Sequence, residues 1–325
     1  QTGTVGNGQN NVILKNVTEA QSDALFGNLK AGSGGQDALT LTGKASHYVL
    51  QDSSKISGFE KLNVEEGRFE LRNTDITLNE LTADDGITVK QGGELFINQN
   101  KAHTFAHQLQ GDGLVTTSTA GQAFDFNNKS AAFAGDNFTG TLRLTNGTFD
   151  IAGDNTRALQ KSRLDIGDKS VATVRAGVGT QSFDRLAMSG GTLAFNDNIT
   201  GSSKADGHLS VNSLELDNAK GTVQVKADGF DNLPTPSVDN KVPLLEQDEG
   251  NSVVQLVNAG KASDYTGGLN LQLTDKDGNV IPSNTKTEQD LRQDGKVVAK
   301  GTYDYGLQTS ANAGGKADGL RSEEH

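Results

Sequence analysis

Apolar and polar positions alternate along most of this chain. "GITVKQGGELFI", starting at Gly86, and "GTLRLTNGTFDI", starting at Gly140, each read as two short strands about a turn. Alternation over four to eight residues marks a half-buried strand. One phrase recurs at Gly67, Gly93, Gly147 and Gly191: a glycine, then polar or small and apolar residues in alternation, then Asn or Asp.

The repeats align. Leu62 matches Ile87 and Val64 matches Val89, 25 residues on; with one residue inserted, Phe69 matches Leu95 and Leu71 matches Ile97, 26 residues on. Gly147 and Gly191 lie 44 residues apart, which suits two shorter turns. A loose period of this length with several short strands per repeat predicts an all-β fold, a right-handed parallel β-helix of the pectin-lyase-like solenoid type. Gly and Asn permit its corners, and inward-facing Asn can stack into ladders. Leucine-rich repeats share the length, but their Leu-x-x-Leu-x-Leu text is not sustained.

Little helix is expected. The segment 17–32 has Ala20, Ala24 and Leu25 near helical spacing, which suits a short helix decorating the first coil; 286–293 could add one turn. The text changes after about Gly207, giving coils over 1–208, a β-rich cap over 209–308 and a linker or tail over 309–325. In the cap, Val223, Val225, Leu269, Leu271, Leu273, Tyr303 and Tyr305 alternate with polar residues, so they should line a closing core. The Asp277–Gly278 dipeptide is a hairpin signal.

Strand residues two apart share a face. Arg68, Glu70 and Arg72 should therefore project outward together while Phe69 and Leu71 point inward, and the next coil should set Glu94 beside Arg68. Lys61, Glu65 and Lys90 extend this mixed-charge surface, the candidate binding face.

Composition narrows the function. Of 325 residues, 33% are apolar and 40 are Gly; Cys and Trp are absent. Such a chain suits a long, thin core better than one wide core. Without Cys there is no disulfide and no thiolate chemistry. The net charge of −12 gives no overall attraction to nucleic acid or anionic membranes. No apolar run approaches the roughly 20 residues of a membrane-spanning helix, and no signal peptide opens the sequence.

Candidate chemistry is sparse. His103 and His107 stand four apart in "HTFAH", but the Glu of a His-Glu-x-x-His zinc motif is missing and strands flank the segment, so a loop or extra coil is expected. Asp275, Asp277 and Asn279 have the spacing of a calcium loop, yet Lys286 occupies the position of its closing Glu, which favours a plain turn. Asp84 and Asp85 in "TADDG" read as a solvated turn rather than a lyase site. No Gly-x-Ser-x-Gly elbow occurs. No catalytic residue, metal site or cofactor is therefore assigned.

"GTLRLTNGTFDIAGDNTRAL", "QSFDRLAMSGGTLAFNDN", "LSVNSLELDNAKGTVQVKA" and "GKVVAKGTYDYGL" resemble passenger domains of Gram-negative monomeric autotransporters, of the adhesin and self-association type. The likeness is most specific from about Phe183 to Leu307, which resembles the last coils and the autochaperone region. It implies a non-enzymatic adhesin on the bacterial cell surface or secreted. Its partners would be extracellular matrix proteins, surface glycans or like molecules in aggregation and biofilm. Attachment to the membrane would run only through a translocator barrel, whose text is absent here. A polysaccharide-degrading enzyme and a purely structural stalk are the alternatives. The shared fold does not itself fix an activity.

Overall fold

A computed structural model describes residues 2–4, 10–32, 34–196, 207–226, 242–247, 251–257, 269–275, 277–280 and 285–309. The fold is mostly β, with parallel strands in a curled sheet. It divides into two compact units, residues 1–149 with 153–170, and 150–152 with 171–325.

In the first unit, two parallel ladders dominate. The first stacks Asn11–Lys15, Ala38–Thr42, Lys61–Val64, Gly86–Val89 and Leu109–Gln110. The second stacks His47–Leu50, Gly67–Arg72, Gly93–Asn98, Leu114–Ser118, Thr141–Thr145 and Arg163–Ile166. The registers are those read from the repeats: Leu62 pairs with Ile87, Val64 with Val89, Phe69 with Leu95 and Leu71 with Ile97. All eight side chains are fully buried. Tyr48, Phe69, Leu95, Val115, Leu142 and Leu164 form one apolar stack through the second ladder.

Glycine starts the strands at Gly67 and Gly93 because the backbone of the preceding repeat comes too close for a side chain. A Cβ on Gly93 would stand 2.4 Å from the Val64 carbonyl oxygen, and one on Gly67 2.5 Å from that of Gly43. Asn16, Asn73 and Asn146 adopt positive φ at corners, a conformation Asn tolerates better than most side chains. One polar ladder differs from expectation. It joins Asn63, Thr40 and Asn11, at 3.2 and 2.8 Å, on the outward side, because Leu39, Leu41, Leu62 and Val64 take the inward positions.

Helix α1 (Glu19–Phe26) forms where expected but buries a different face. Ser22 and Phe26 are buried, whereas Ala20 and Ala24 are exposed. Ser22 Oγ accepts from Val49 N at 2.9 Å and donates to His47 O at 3.0 Å, so α1 satisfies the open edge of the second ladder. Two further helices were not anticipated, α2 (Asn128–Asn137) and α3 (Gly153–Ala158). Asn127 caps α2 by accepting from Ser130 N, and α3 packs so near that a Cβ on Gly135 would sit 2.4 Å from Arg157 O. Small residues at this contact leave too weak an apolar stripe for periodicity to register.

In the second unit, Thr180–Asn196 and His208–Lys226 run parallel, with breaks in register between Ala187 and Thr192. Leu269–Thr274 adds to the end of the latter strand, also parallel. Val242–Gln247 then begins an antiparallel set with Asn251–Val257, Lys296–Thr309 and Thr285–Gln293. Residues 286–293 are thus strand rather than helix, held by cross-strand pairing with 296–304 that no local propensity reports. Val223, Val225, Leu269 and Leu273 are buried as expected. Leu271 is only half-buried, at a strand that among the described residues forms a ladder on one side alone. Tyr303 and Tyr305 lie in a described strand, but their side chains fall outside the described residues, as does the tail 310–325. The Asp277–Gly278 turn forms, with Asp275 Oδ1 accepting from Asp277 N and Asn279 N, both at 2.9 Å.

Candidate functional site

The outward side of the second ladder carries the predicted face. Register aligns His47, Arg68, Glu94, Leu114 and Thr141 in one row, and Val49, Glu70, Phe96, Thr116, Arg143 and Asp165 in the next. Glu94 does stand beside Arg68. Its carboxylate accepts from Arg68 Nε at 2.8 Å and Nη2 at 3.3 Å, and from Thr116 Oγ1 at 2.7 Å. The Arg68 guanidinium also lies 4.7 Å from the Phe96 ring centre, within cation–π range. Further along, Arg143 Nε donates to Asp165 at 2.9 Å.

Glu70 is the exception among the four. It is only 2% exposed. Helix α1 covers this end of the face, and Glu70 accepts from Arg72 Nε at 2.6 Å and Asn98 Nδ2 at 3.1 Å and pairs with His47 Nε2 at 3.0 Å. Burial pushes its carboxyl pKa up, but these three partners outweigh that and hold it below the usual range. Arg72 also reaches Glu19 of α1 at 2.8 Å. Glu70 and Arg72 therefore fasten α1 to the ladder, while Arg68 is the most exposed of the four. Sequence periodicity set all four on one side of the strands and could not see the helix that buries Glu70.

Beside the exposed part runs a groove of about 530 Å³. Its floor is Arg68, Glu94, Leu114, Thr141 and Arg143, and Lys44 and Asp112 stand at its margin. The corner glycines Gly67, Gly93 and Gly113 also line it. Lys44 makes no ion pair among the described residues, and Arg143 donates to Asp165 through Nε at 2.9 Å.

A second polar cluster was missed as such. The loop 73–85 brings Asp75 to both histidines of "HTFAH": Oδ1 is 3.0 Å from His107 Nε2 and Oδ2 is 3.6 Å from His103 Nε2. His107 Nδ1 lies 3.8 Å from Glu80, an electrostatic distance, and Glu80 also receives Lys129 Nζ at 2.5 Å and Gln108 N at 2.7 Å. Burial alone would lower the His107 pKa, but the bond to Asp75 and the Glu80 charge raise it to about 9. For Glu80, burial is likewise overcome by His107, Lys129 and the Gln108 amide, leaving it at about 2. His103 is pushed down by burial, against the opposing pull of Asp75. Among the described residues no group of three or more such side chains is arranged to hold a metal ion.

Asp85 is buried rather than solvated, because Leu81 N and Thr82 N donate to it at 2.6 and 2.7 Å. The loop is thus pinned by Asp75, Glu80 and Asp85 in turn. The cluster reads as an anchor for this loop, and the groove as the candidate site.

Comparison with known proteins adds two relatives, both from Escherichia coli K12. The chain is 34% identical over 232 residues to "uncharacterized protein YuaQ", covering 71% of this chain and 16% of that protein. It is 30% identical over 248 residues to "uncharacterized lipoprotein YdeK", covering 70% of this chain and 18% of that protein. The chain thus spans about a sixth of the length of the curated relatives it matches. No family model matches it, and no solved structure does. No helix among the described residues is long and apolar enough to cross a membrane.

Proposed function

We propose that this chain is a right-handed parallel β-helix segment of an autotransporter-type adhesin. It would act at the bacterial surface by binding rather than by catalysis. The observation that carries this reading is the outward side of the second ladder. There, side chains from successive coils join in cross-coil contacts, Arg68 to Glu94 to Thr116 and Arg143 to Asp165, above the inward stack of Tyr48, Phe69, Leu95, Val115, Leu142 and Leu164. Such a surface repeats at the ladder step of about 4.8 Å and suits an extended, repetitive partner such as a glycan or matrix protein. Each exposed contact contributes less than about 1 kcal/mol, so function rests on many contacts and on display in many copies. A relative named as a lipoprotein supports a cell-envelope location.

The test is display of the full-length protein on a bacterium that neither adheres nor clumps. Adhesion to matrix or glycan-coated surfaces, or clumping, is expected to rise, and the double variant Arg68→Glu, Arg143→Glu is expected to reverse most of the gain. Turnover of a polysaccharide by the purified chain, without any gain on display, would replace the adhesin reading with an enzymatic one.

A further inference from the structure

We infer that the groove beside Arg68 and Arg143 binds a saccharide chain bearing carboxylate groups. The inference rests on the adhesin reading for its biological setting, and on the groove's chemistry for the ligand class.

Each sugar hydroxyl both donates and accepts, so a saccharide site needs donors and acceptors side by side. Arg68 and Glu94 supply such a pair, fixed to one another by two hydrogen bonds. Thr141 and Asp112 continue the mixture, and Leu114 offers an apolar patch among them. The volume of about 530 Å³ falls within the range of about 300–1,000 Å³ typical of small-ligand sites.

The acidic character follows from two cations left incompletely engaged. Arg68 is neutralised by Glu94. Lys44 has no ionic partner among the described residues, and Arg143, paired with Asp165 through Nε, makes no hydrogen bond from its terminal nitrogens among them. The lining carries Lys44, Arg68 and Arg143 against Glu94 and Asp112, a small local excess of positive charge on a chain of net charge −12. A guanidinium presents parallel N–H groups that match a carboxylate.

A peptide fits this floor poorly. Extended peptides bind sheets chiefly by adding to a free edge. Here Gly67–Arg72, Gly93–Asn98, Leu114–Ser118 and Thr141–Thr145 each pair with a strand on both sides, so their backbone groups are already used.

The experiment is calorimetric titration of the whole purified chain with three probes: a hyaluronan tetrasaccharide, the neutral chitotetraose and a tetraglutamate peptide. The hyaluronan fragment is expected to bind, and the other two to bind at least about tenfold more weakly. Arg143→Gln and Lys44→Gln should each weaken hyaluronan binding by about tenfold, the usual scale for losing a hydrogen bond to a charged group. Lys15→Gln, on the first ladder, should not, and circular dichroism should show all three variants folded. Equal binding of chitotetraose, stronger binding of the peptide, or unchanged affinity in Arg143→Gln and Lys44→Gln would each overturn the proposal. If the purified chain ignores hyaluronan while displaying cells still adhere, the groove assignment fails and the adhesin reading stands. Binding by the purified chain with no adhesion on display upholds the groove and removes the adhesin.

Discussion

Glu70 is a charge that the fold has taken out of water, and its partners decide the outcome. A buried carboxylate stripped of its ion pair is strongly destabilising. Arg72→Ala should therefore cost about 3 kcal/mol, the low end for such a loss, since His47 and Asn98 still reach Glu70. Arg68→Ala, at a pair in which the Arg68 side chain is 43% exposed, should cost less than about 1 kcal/mol. Urea denaturation of both variants distinguishes the two roles, and equal losses would contradict them. The His107 cluster makes a second claim at this scale, about pH. His107 is raised from 6.5 to about 9, so the fold favours its charged form; that stabilisation is complete below about pH 6.5 and drains away as pH rises through 9. Glu80 is lowered from 4.5 to about 2, so its share is complete above about pH 4.5 and is lost as pH falls towards 2. The cluster is most stabilising between those limits. His107→Gln should flatten the fall in urea midpoint between pH 6.5 and 9. Curves for variant and parent that stay parallel across that window would refute the assignment.

Among the elements, α1 and the glycine corners show how edges and coil spacing are managed. Ser22→Ala removes the acceptor for Val49 N and should cost about 1–3 kcal/mol, because that N–H is buried. Gly93→Ala drives a methyl group against the Val64 carbonyl and should cost about 1–3 kcal/mol by overpacking. Thermal unfolding of each reads the loss; a neutral Gly93→Ala would mean that adjacent strands separate more easily than their contacts imply. The sequence made the ladders legible because strand period and repeat period agree. Inward Leu62, Val64, Phe69 and Leu71 recur with their partners a repeat later, and an error of one residue would have turned them all outward. It also marked the turn at Asp277, where the Asp–Gly signal is local. What stayed hidden depends on distant partners. Asp75 meets His107 across 32 residues, and Thr285–Gln293 is a strand only because Lys296–Thr309 pairs with it. In the same way Glu70 and Arg68 look alike in sequence, and only the position of α1 makes one an anchor and the other a surface residue.

For the whole molecule, the overall field and the groove pull in opposite directions. A net charge of −12 repels an acidic saccharide at long range, while Lys44 and Arg143 attract its carboxylates at contact. Salt separates the two, because the screening length falls from about 30 Å at 0.01 M to about 10 Å at 0.1 M. At low salt the repulsion of the whole chain reaches the approaching ligand and slows association. Near 0.1 M that repulsion is largely screened, while contacts within the groove persist. Towards 1 M, where the length is about 3 Å, the contacts weaken as well. Affinity for the hyaluronan fragment should therefore pass through a maximum at intermediate ionic strength. The rising limb should lie in the association rate and the falling limb in the dissociation rate, both measurable by surface plasmon resonance. Arg143→Gln should keep the rising limb, which belongs to the whole chain, and flatten the falling one, which belongs to the groove. A monotonic decline of affinity from the lowest salt would show that the local cations dominate at every range, and that the acidic remainder of the chain plays no part in selecting its partner.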